Sequence, residues 1–247
     1  MRAYTVFAHV YDIFMRDIPY ERWCNTTASY MKNHGVTGGK ILELGCGTGS
    51  FTMLMSEKGY EMTGIDMSQD MLYEAKRKNR KAKLPITYMQ QDMRALELDE
   101  RFDAVLSVCD SINYMENNFD MQSAFKCAGD ALKDGGIFIF DMKTPSYYER
   151  LGNQVFTDST QEGTYVWEND YDSGSRDNNY YITFFIKKRH DLYRKYTEEH
   201  TQHAFTDEDV QTEARNAGLC VCDVLGEDMR ENADWNAERV YYVMKRR

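Results

Sequence analysis

One stretch near the start of the chain constrains the fold most: Lys40-Ile41-Leu42-Glu43-Leu44-Gly45-Cys46-Gly47-Thr48-Gly49. It reads as a short buried strand, a glycine turn and the start of a helix near Ser50. Ile41, Leu42 and Leu44 suit a parallel strand covered on both faces. Glycines at 45, 47 and 49 let the backbone bend sharply and approach a ligand closely, because no Cβ stands in the way. The spacing excludes two ligand classes. A dinucleotide fingerprint needs glycine or alanine at position 50, which is Ser50, and a Walker loop needs Gly-Lys-Ser/Thr at its end, where Phe51 and Thr52 follow Ser50. Glu43 would repel a diphosphate and favours a cation or an amino group.

A second strand, Glu61 to Asp66, ends in a carboxylate 21 residues after Gly45. An acid at that distance, on the tip of the next strand, can take both hydroxyls of a ribose. With these two motifs the chain resembles the class I S-adenosylmethionine-dependent methyltransferases, in particular bacterial small-molecule enzymes with an antiparallel lid insertion. The resemblance implies an α/β fold: a seven-stranded Rossmann-like sheet, mostly parallel with a terminal antiparallel hairpin, plus a small antiparallel β lid. It implies S-adenosylmethionine as cofactor and S-adenosylhomocysteine as product. It extends to Leu132-Lys133-Asp134-Gly135-Gly136, to Trp167-Glu168-Asn169 and to Glu198-Glu199-His200.

At 247 residues the chain has the size of one domain with an insertion. The expected division is 1–144 with 204–247 for cofactor binding, residues 1–36 forming a helical cover, and 145–203 as the lid. A net charge of −10 argues against nucleic acid. The basic cluster from Lys76 to Lys83 reads as a solvated helix end. Six scattered cysteines without zinc-site spacing read as reduced thiols. With no leader-like segment and no long apolar run, a cytoplasmic protein without a membrane partner is expected, as monomer or homodimer.

Tyr4, Phe7, Tyr11, Phe14 and Ile18 recur at helical spacing, and a second helix carrying Trp23 is expected after Pro19. Tyr11 and Trp23 either pack on the core or face the cofactor's sulfonium. Ser68 can cap the helix after Asp66, and Met67 and Met71 either touch an adenine or fill the core. The resemblance assigns Asp92 to the adenine amino group, with Gln91 and Met93 beside it. It places Cys109 and Asp110 under the transferring methyl group, and gives the glycine motif Gly45, Cys46, Gly47, Thr48 and Gly49 to the cofactor. Asn113 and Tyr114 are expected on the acceptor side. No Asn-Pro-Pro-Tyr-like sequence occurs, which disfavours planar amide or base nitrogens as acceptors.

From Pro145 the pattern changes to three antiparallel strands near 164–170, 180–187 and 192–203, set to roof the acceptor pocket. Thr206 can cap the next helix, with Phe205 and Val210 as a hydrophobic staple.

Methyl transfer is an in-line displacement, so alignment and exclusion of water are the main tasks. His200 is the candidate base and Tyr114, on the acceptor side, the other catalytic candidate, with Tyr114 or Glu168 available to orient an amine. His200 and His203 face opposite sides of a strand, so no shared metal site is expected. The favoured function is transfer of a methyl group to N or O of a small polar acceptor. The alternatives are aminopropyl transfer from a related sulfonium and a non-catalytic S-adenosylmethionine-binding protein.

Overall fold

The computed structural model describes residues 7–247. Tyr4 lies outside the described residues. The rest of the N-terminal pattern is a 3-10 turn over Phe7–His9 and a single helical turn, α1 (Tyr11–Phe14). The expected second helix, α2 (Tyr20–Asn33), follows Pro19. Then come β1 (Lys40–Leu44), α3 (Ser50–Glu57), β2 (Glu61–Asp66), α4 (Gln69–Ala82), β3 (Ile86–Gln90), β4 (Phe102–Ser107), α5 (Asn118–Ala131) and β5 (Leu132–Lys143). Ser68 caps α4 as expected, its hydroxyl accepting from the Met71 N–H.

The chain then leaves the main sheet. A short helix α6 (Pro145–Leu151) leads into β6 (Val155–Ser159), β7 (Gly163–Asp172), β8 (Asp177–Arg189) and β9 (Leu192–His203). It returns through α7 (Asp207–Asn216) to β10 (Leu219–Leu225) and β11 (Arg239–Arg246). At α7, Thr206 and Asp209 form a reciprocal capping box.

The seven-stranded sheet has the order β10-β11-β5-β4-β1-β2-β3. β1 to β5 are mutually parallel, and β11 runs antiparallel between β5 and β10. Its strands are buried on both faces, as their continuous apolar runs require. Leu42, Val105, Phe138 and Phe140 pack under α5 and α7, while Ile41, Ala104, Leu106 and Ile139 pack under α2 and α3. Strand order reverses between β1 and β4, which opens a crevice outside their carboxyl ends.

The second sheet, β6-β7-β8-β9, is antiparallel and has four strands where three were expected. Val10 and Phe14 pack on its inner face against Tyr180, Ile182 and Phe184. The N-terminal segment therefore sits between the two sheets. Among the described residues no helix is long and apolar enough to cross a membrane.

Candidate active site

The glycine turn links β1 to α3 at the crevice. Gly45, Gly47 and Gly49 take φ of 71°, 53° and 77°, a region costly for other residues. A Cβ on Gly45 would meet the Ser111 hydroxyl at 2.7 Å, and one on Gly49 would collide with the Tyr88 hydroxyl. A Cβ on Gly47 would meet nothing within 4 Å, so that backbone faces open space. Asp66, at the tip of β2, accepts from the Gly47 N–H and the Ser68 N–H, each at 2.8 Å. Burial raises its carboxyl above the ordinary range, and these two N–H groups oppose the rise. Glu43 lies beneath the turn, 2% exposed, accepting from the Thr52 hydroxyl at 2.5 Å. Burial pushes its carboxyl up to about 8, the Thr52 hydroxyl pulls the other way, and the Asp66 charge adds to the rise. The Cys46 side chain points away from the crevice into a small core with Leu72, Ala75 and Tyr88. Only its backbone belongs to the turn.

The loop after β3 is tied down by its own side chains. Arg94 grips Asp92 through Nη2 at 2.7 Å and reaches Asp120 through Nη1 at 2.7 Å. These hydrogen bonds hold the Asp92 carboxyl below its usual range. The Arg94 backbone N–H and Nε also donate to Asp92, Nε to both oxygens, so most of the carboxylate's roughly four acceptor positions are already used. The Gln91 side chain braces the loop instead of facing outward, donating to the Glu97 carbonyl and accepting from the Glu97 N–H. Met93 lies closest to the turn, its methyl 3.4 Å from where a Gly45 Cβ would stand. Met67 is 59% exposed, whereas Met71 is buried in the core, which takes Met71 out of reach of a ligand at the surface of the turn.

The N-terminal segment closes over the turn through Asp12, which the sequence did not single out. Asp12 accepts from the Thr48 hydroxyl and from the Lys78 ammonium, each at 2.6 Å, and Lys78 also donates to Ser50 at 2.9 Å. Lys78 is thus a strut and not part of a solvated helix end. Tyr11 reaches the Tyr20 hydroxyl at 3.2 Å and lies 4.0 Å from the Cys109 sulfur. Trp23 is buried with the Arg239 guanidinium 4.7 Å from its ring centroid, so one indole face is committed to that cation.

Arg239 is the centre of a buried cluster at the carboxyl ends of β4 and β5. Its Nη1 donates to Asp141 and its Nη2 donates to Asp110 at 2.7 Å. The Gln202 amide donates to the other Asp110 oxygen at 2.7 Å, and its carbonyl accepts from Tyr148 at 2.9 Å and Tyr180 at 3.1 Å. Burial alone would raise the Asp110 carboxyl, but the Lys143 and Arg239 charges and the Gln202 hydrogen bond outweigh it and hold it at about 2. For Asp141 burial wins over Arg239, and the carboxyl rises. Cys109 and Asp110 take φ of 65° and 52°, a strained pair at the end of β4. Because β11 is inserted antiparallel, its first residue lands opposite Lys143, the last residue of β5.

The two catalytic candidates, His200 and Tyr114, lie together. Tyr114 and His200 meet edge to face at 6.1 Å, and Glu198 lies 3.3 Å from His200 Nε2. Glu198, His200 and Gln202 alternate along β9 and are buried on its inner face. Two expectations fail here. Glu168 lies on the exposed face of β7 and cannot orient an acceptor under the sheet. Asn113 is fully buried and braces backbone, bonding Lys143 N–H, Lys143 C=O and His203 C=O, so it does not line a pocket.

An acid at the tip of β2, an exposed glycine backbone beside it and a helix start at the switch point together fit an adenosine-bearing ligand. The sheet order and the second antiparallel sheet define the α/β methyltransferase fold. Comparison with known proteins narrows this to a family. The family described as "Methyltransferase domain" matches residues 41–136. YqeM of Bacillus subtilis (strain 168), named as a methyltransferase, is 32% identical over 241 residues, covering 97% of this chain and 95% of that one. The structure of an S-adenosylmethionine-dependent methyltransferase from Clostridium acetobutylicum ATCC 824 superimposes with a TM-score of 0.88 at 30% identity, covering 99% of both chains. A dTDP-3-amino-3,4,6-trideoxy-alpha-D-glucopyranose N,N-dimethyltransferase of Streptomyces venezuelae is 27% identical over 54% of this chain and 56% of its own length. The chain belongs to the class I S-adenosylmethionine-dependent methyltransferases.

Proposed function

We propose that this enzyme moves the methyl group to N or O of a small polar acceptor held between the ends of β4 and β5 and the second sheet. Residues 145–203 act as a lid over that site, and residues 1–144 with 204–247 hold the cofactor. The observation that carries the reading is the arrangement of Asp66 beside the open Gly47 backbone, with the buried Asp110–Arg239–Asp141 cluster on the other side of the switch point. S-adenosylmethionine supplies an activated methyl group on a good leaving group. Asp66 and Asp92 hold and orient it, Glu43 braces the turn from beneath, and Tyr11 covers it. His200, with Glu198 beside it, takes the proton that the acceptor's N or O releases as the new bond to carbon forms and the carbon–sulfur bond breaks. The relatives named as amino-sugar N-methyltransferases support a nitrogen acceptor. Aminopropyl transfer fits less well, because Arg239 already engages Asp110 and Asp141, the acids a polyamine would need.

Calorimetry with S-adenosylmethionine, S-adenosylhomocysteine and decarboxylated S-adenosylmethionine tests the reading. Asp66→Ala should weaken S-adenosylhomocysteine at least tenfold while the fold is retained. Equal or tighter binding of the decarboxylated form would overturn the proposal.

A further inference from the structure

Lys143, at the end of β5, feels the Asp110 charge but, among the described residues, donates a hydrogen bond to no carboxylate. Lys143 follows Asp141 by two residues, so both side chains leave the same side of the strand at its carboxyl edge. Its backbone is fixed on both sides by Asn113, which accepts from the Lys143 N–H at 3.0 Å and donates to the Lys143 carbonyl at 3.3 Å. The ammonium donates to the Tyr147 hydroxyl at 2.9 Å and lies 4.2 Å from that ring's centroid. Among the described residues, no carboxylate is within ion-pairing distance of it. The nearby acids take their hydrogen bonds from other donors: Asp110 from Arg239 and Gln202, and Asp141 from Arg239 and the Asp110 N–H. An ammonium has three donors, and only one is used here. The Asp110 field keeps the group charged against the cost of its burial. A partly buried cation with a fixed backbone and spare donors, held against Tyr147 of the lid, is built to meet an anion from outside the chain.

Resting on the acceptor-site reading above, we propose that Lys143 and Tyr147 hold an anionic oxygen group of the acceptor, a carboxylate or a phosphate. Lys143 then sets specificity: the anion anchors one end of the acceptor while the nucleophilic N or O points at the methyl group. Tyr147 positions the ammonium through its hydroxyl and ring.

The test uses matched acceptor pairs and the whole protein. Free acids are compared with their carboxamides, and phosphomonoesters with the parent alcohols, reading S-adenosylhomocysteine release. Turnover should be confined to the charged members of one series, which also tells carboxylate from phosphate. In Lys143→Met, kcat/KM for that acceptor should fall at least tenfold, chiefly through KM, with Lys143→Arg keeping a substantial part. If no member of either series turns over, titration of the S-adenosylhomocysteine-loaded protein with acetate and with inorganic phosphate decides. Saturable binding of one anion, weakened at least tenfold by Lys143→Met, supports the assignment. Neutral acceptors used as well as charged ones, or anion binding that is absent or indifferent to Lys143→Met, overturns it. S-adenosylhomocysteine affinity, measured in the same samples, should stay within twofold in both variants, and its loss in the wild type would instead strike at the cofactor reading.

Discussion

Gln202 of β9 donates to Asp110 Oδ2 across 2.7 Å, which ties the second sheet to the carboxyl edge of the first. The same side chain accepts from Tyr148 and Tyr180, so one amide satisfies three buried or half-buried groups. Removing it leaves Asp110 one donor short and two buried hydroxyls without an acceptor. Each such loss costs about 1–3 kcal/mol. Gln202→Ala should therefore lower stability by about 3 kcal/mol or more in urea denaturation, and Gln202→Glu by more still, because it sets a second negative charge against Asp110. A loss under about 1 kcal/mol in Gln202→Ala would mean that water replaces the amide and that the two sheets are joined elsewhere.

Arg239 presents a sharper case. It is buried between Asp110 and Asp141 with Trp23 across its face, so among the described residues its charge is matched by those two carboxylates. Removing one member of a buried ion cluster leaves uncompensated charge and typically costs about 3–5 kcal/mol. Arg239→Met should lose that much, and Arg239→Met with Asp110→Asn and Asp141→Asn should recover most of it. The thermal midpoints of the single and triple variants give the comparison. A triple variant no more stable than the single would show that the guanidinium's packing on Trp23, and not its charge, is what matters.

The sheet was legible in the sequence because fully buried parallel strands write themselves as apolar runs, and Asp66 because its distance from Gly45 is set by one βα unit. β6 was not legible: Val155 to Ser159 is a short edge strand, mostly exposed, with no alternation to mark it. Lys78 looked like a solvated residue in a basic helix end because its partner, Asp12, lies far away in sequence. The cluster around Arg239 is assembled from β4, β5, β9 and β11, four segments that meet only through the antiparallel insertion of β11 and the fold-back of the lid. No local spacing signals such a meeting. Asp110 alone carried a cue, through the resemblance that puts it under the transferring methyl group.

Glu43 gives the stability a predictable pH dependence. Its ordinary value is 4.5, and burial lifts it to about 8 in the folded chain. Between those values the folded state keeps a proton that the unfolded state has lost, so this group's contribution is whole below about 4.5 and fades as pH rises through about 8. At roughly 1.4 kcal/mol per unit, the contribution is on the order of a few kcal/mol. Wild-type stability in urea should fall from pH 6 to pH 9, and Glu43→Gln should flatten that slope. Parallel curves for the two proteins would show that the carboxyl is already ionised at pH 6.

The strut at Asp12 should govern how long the cofactor stays, not how stable the protein is. Its contacts with Thr48 and Lys78 are short, but the Asp12 and Lys78 side chains are 39% and 22% exposed, a setting in which ion pairs contribute about 0–1 kcal/mol. Asp12→Ala should therefore shift the urea midpoint little. Thr48 and Ser50 stand at the glycine turn, so a segment released from them uncovers whatever the turn holds. S-adenosylhomocysteine should dissociate several-fold faster from Asp12→Ala and from Lys78→Met in stopped-flow displacement. Asp12→Asn keeps an acceptor for the Thr48 hydroxyl and should lie between the wild type and Asp12→Ala. Unchanged dissociation in both truncations would mean that the N-terminal segment opens and closes without reference to this strut.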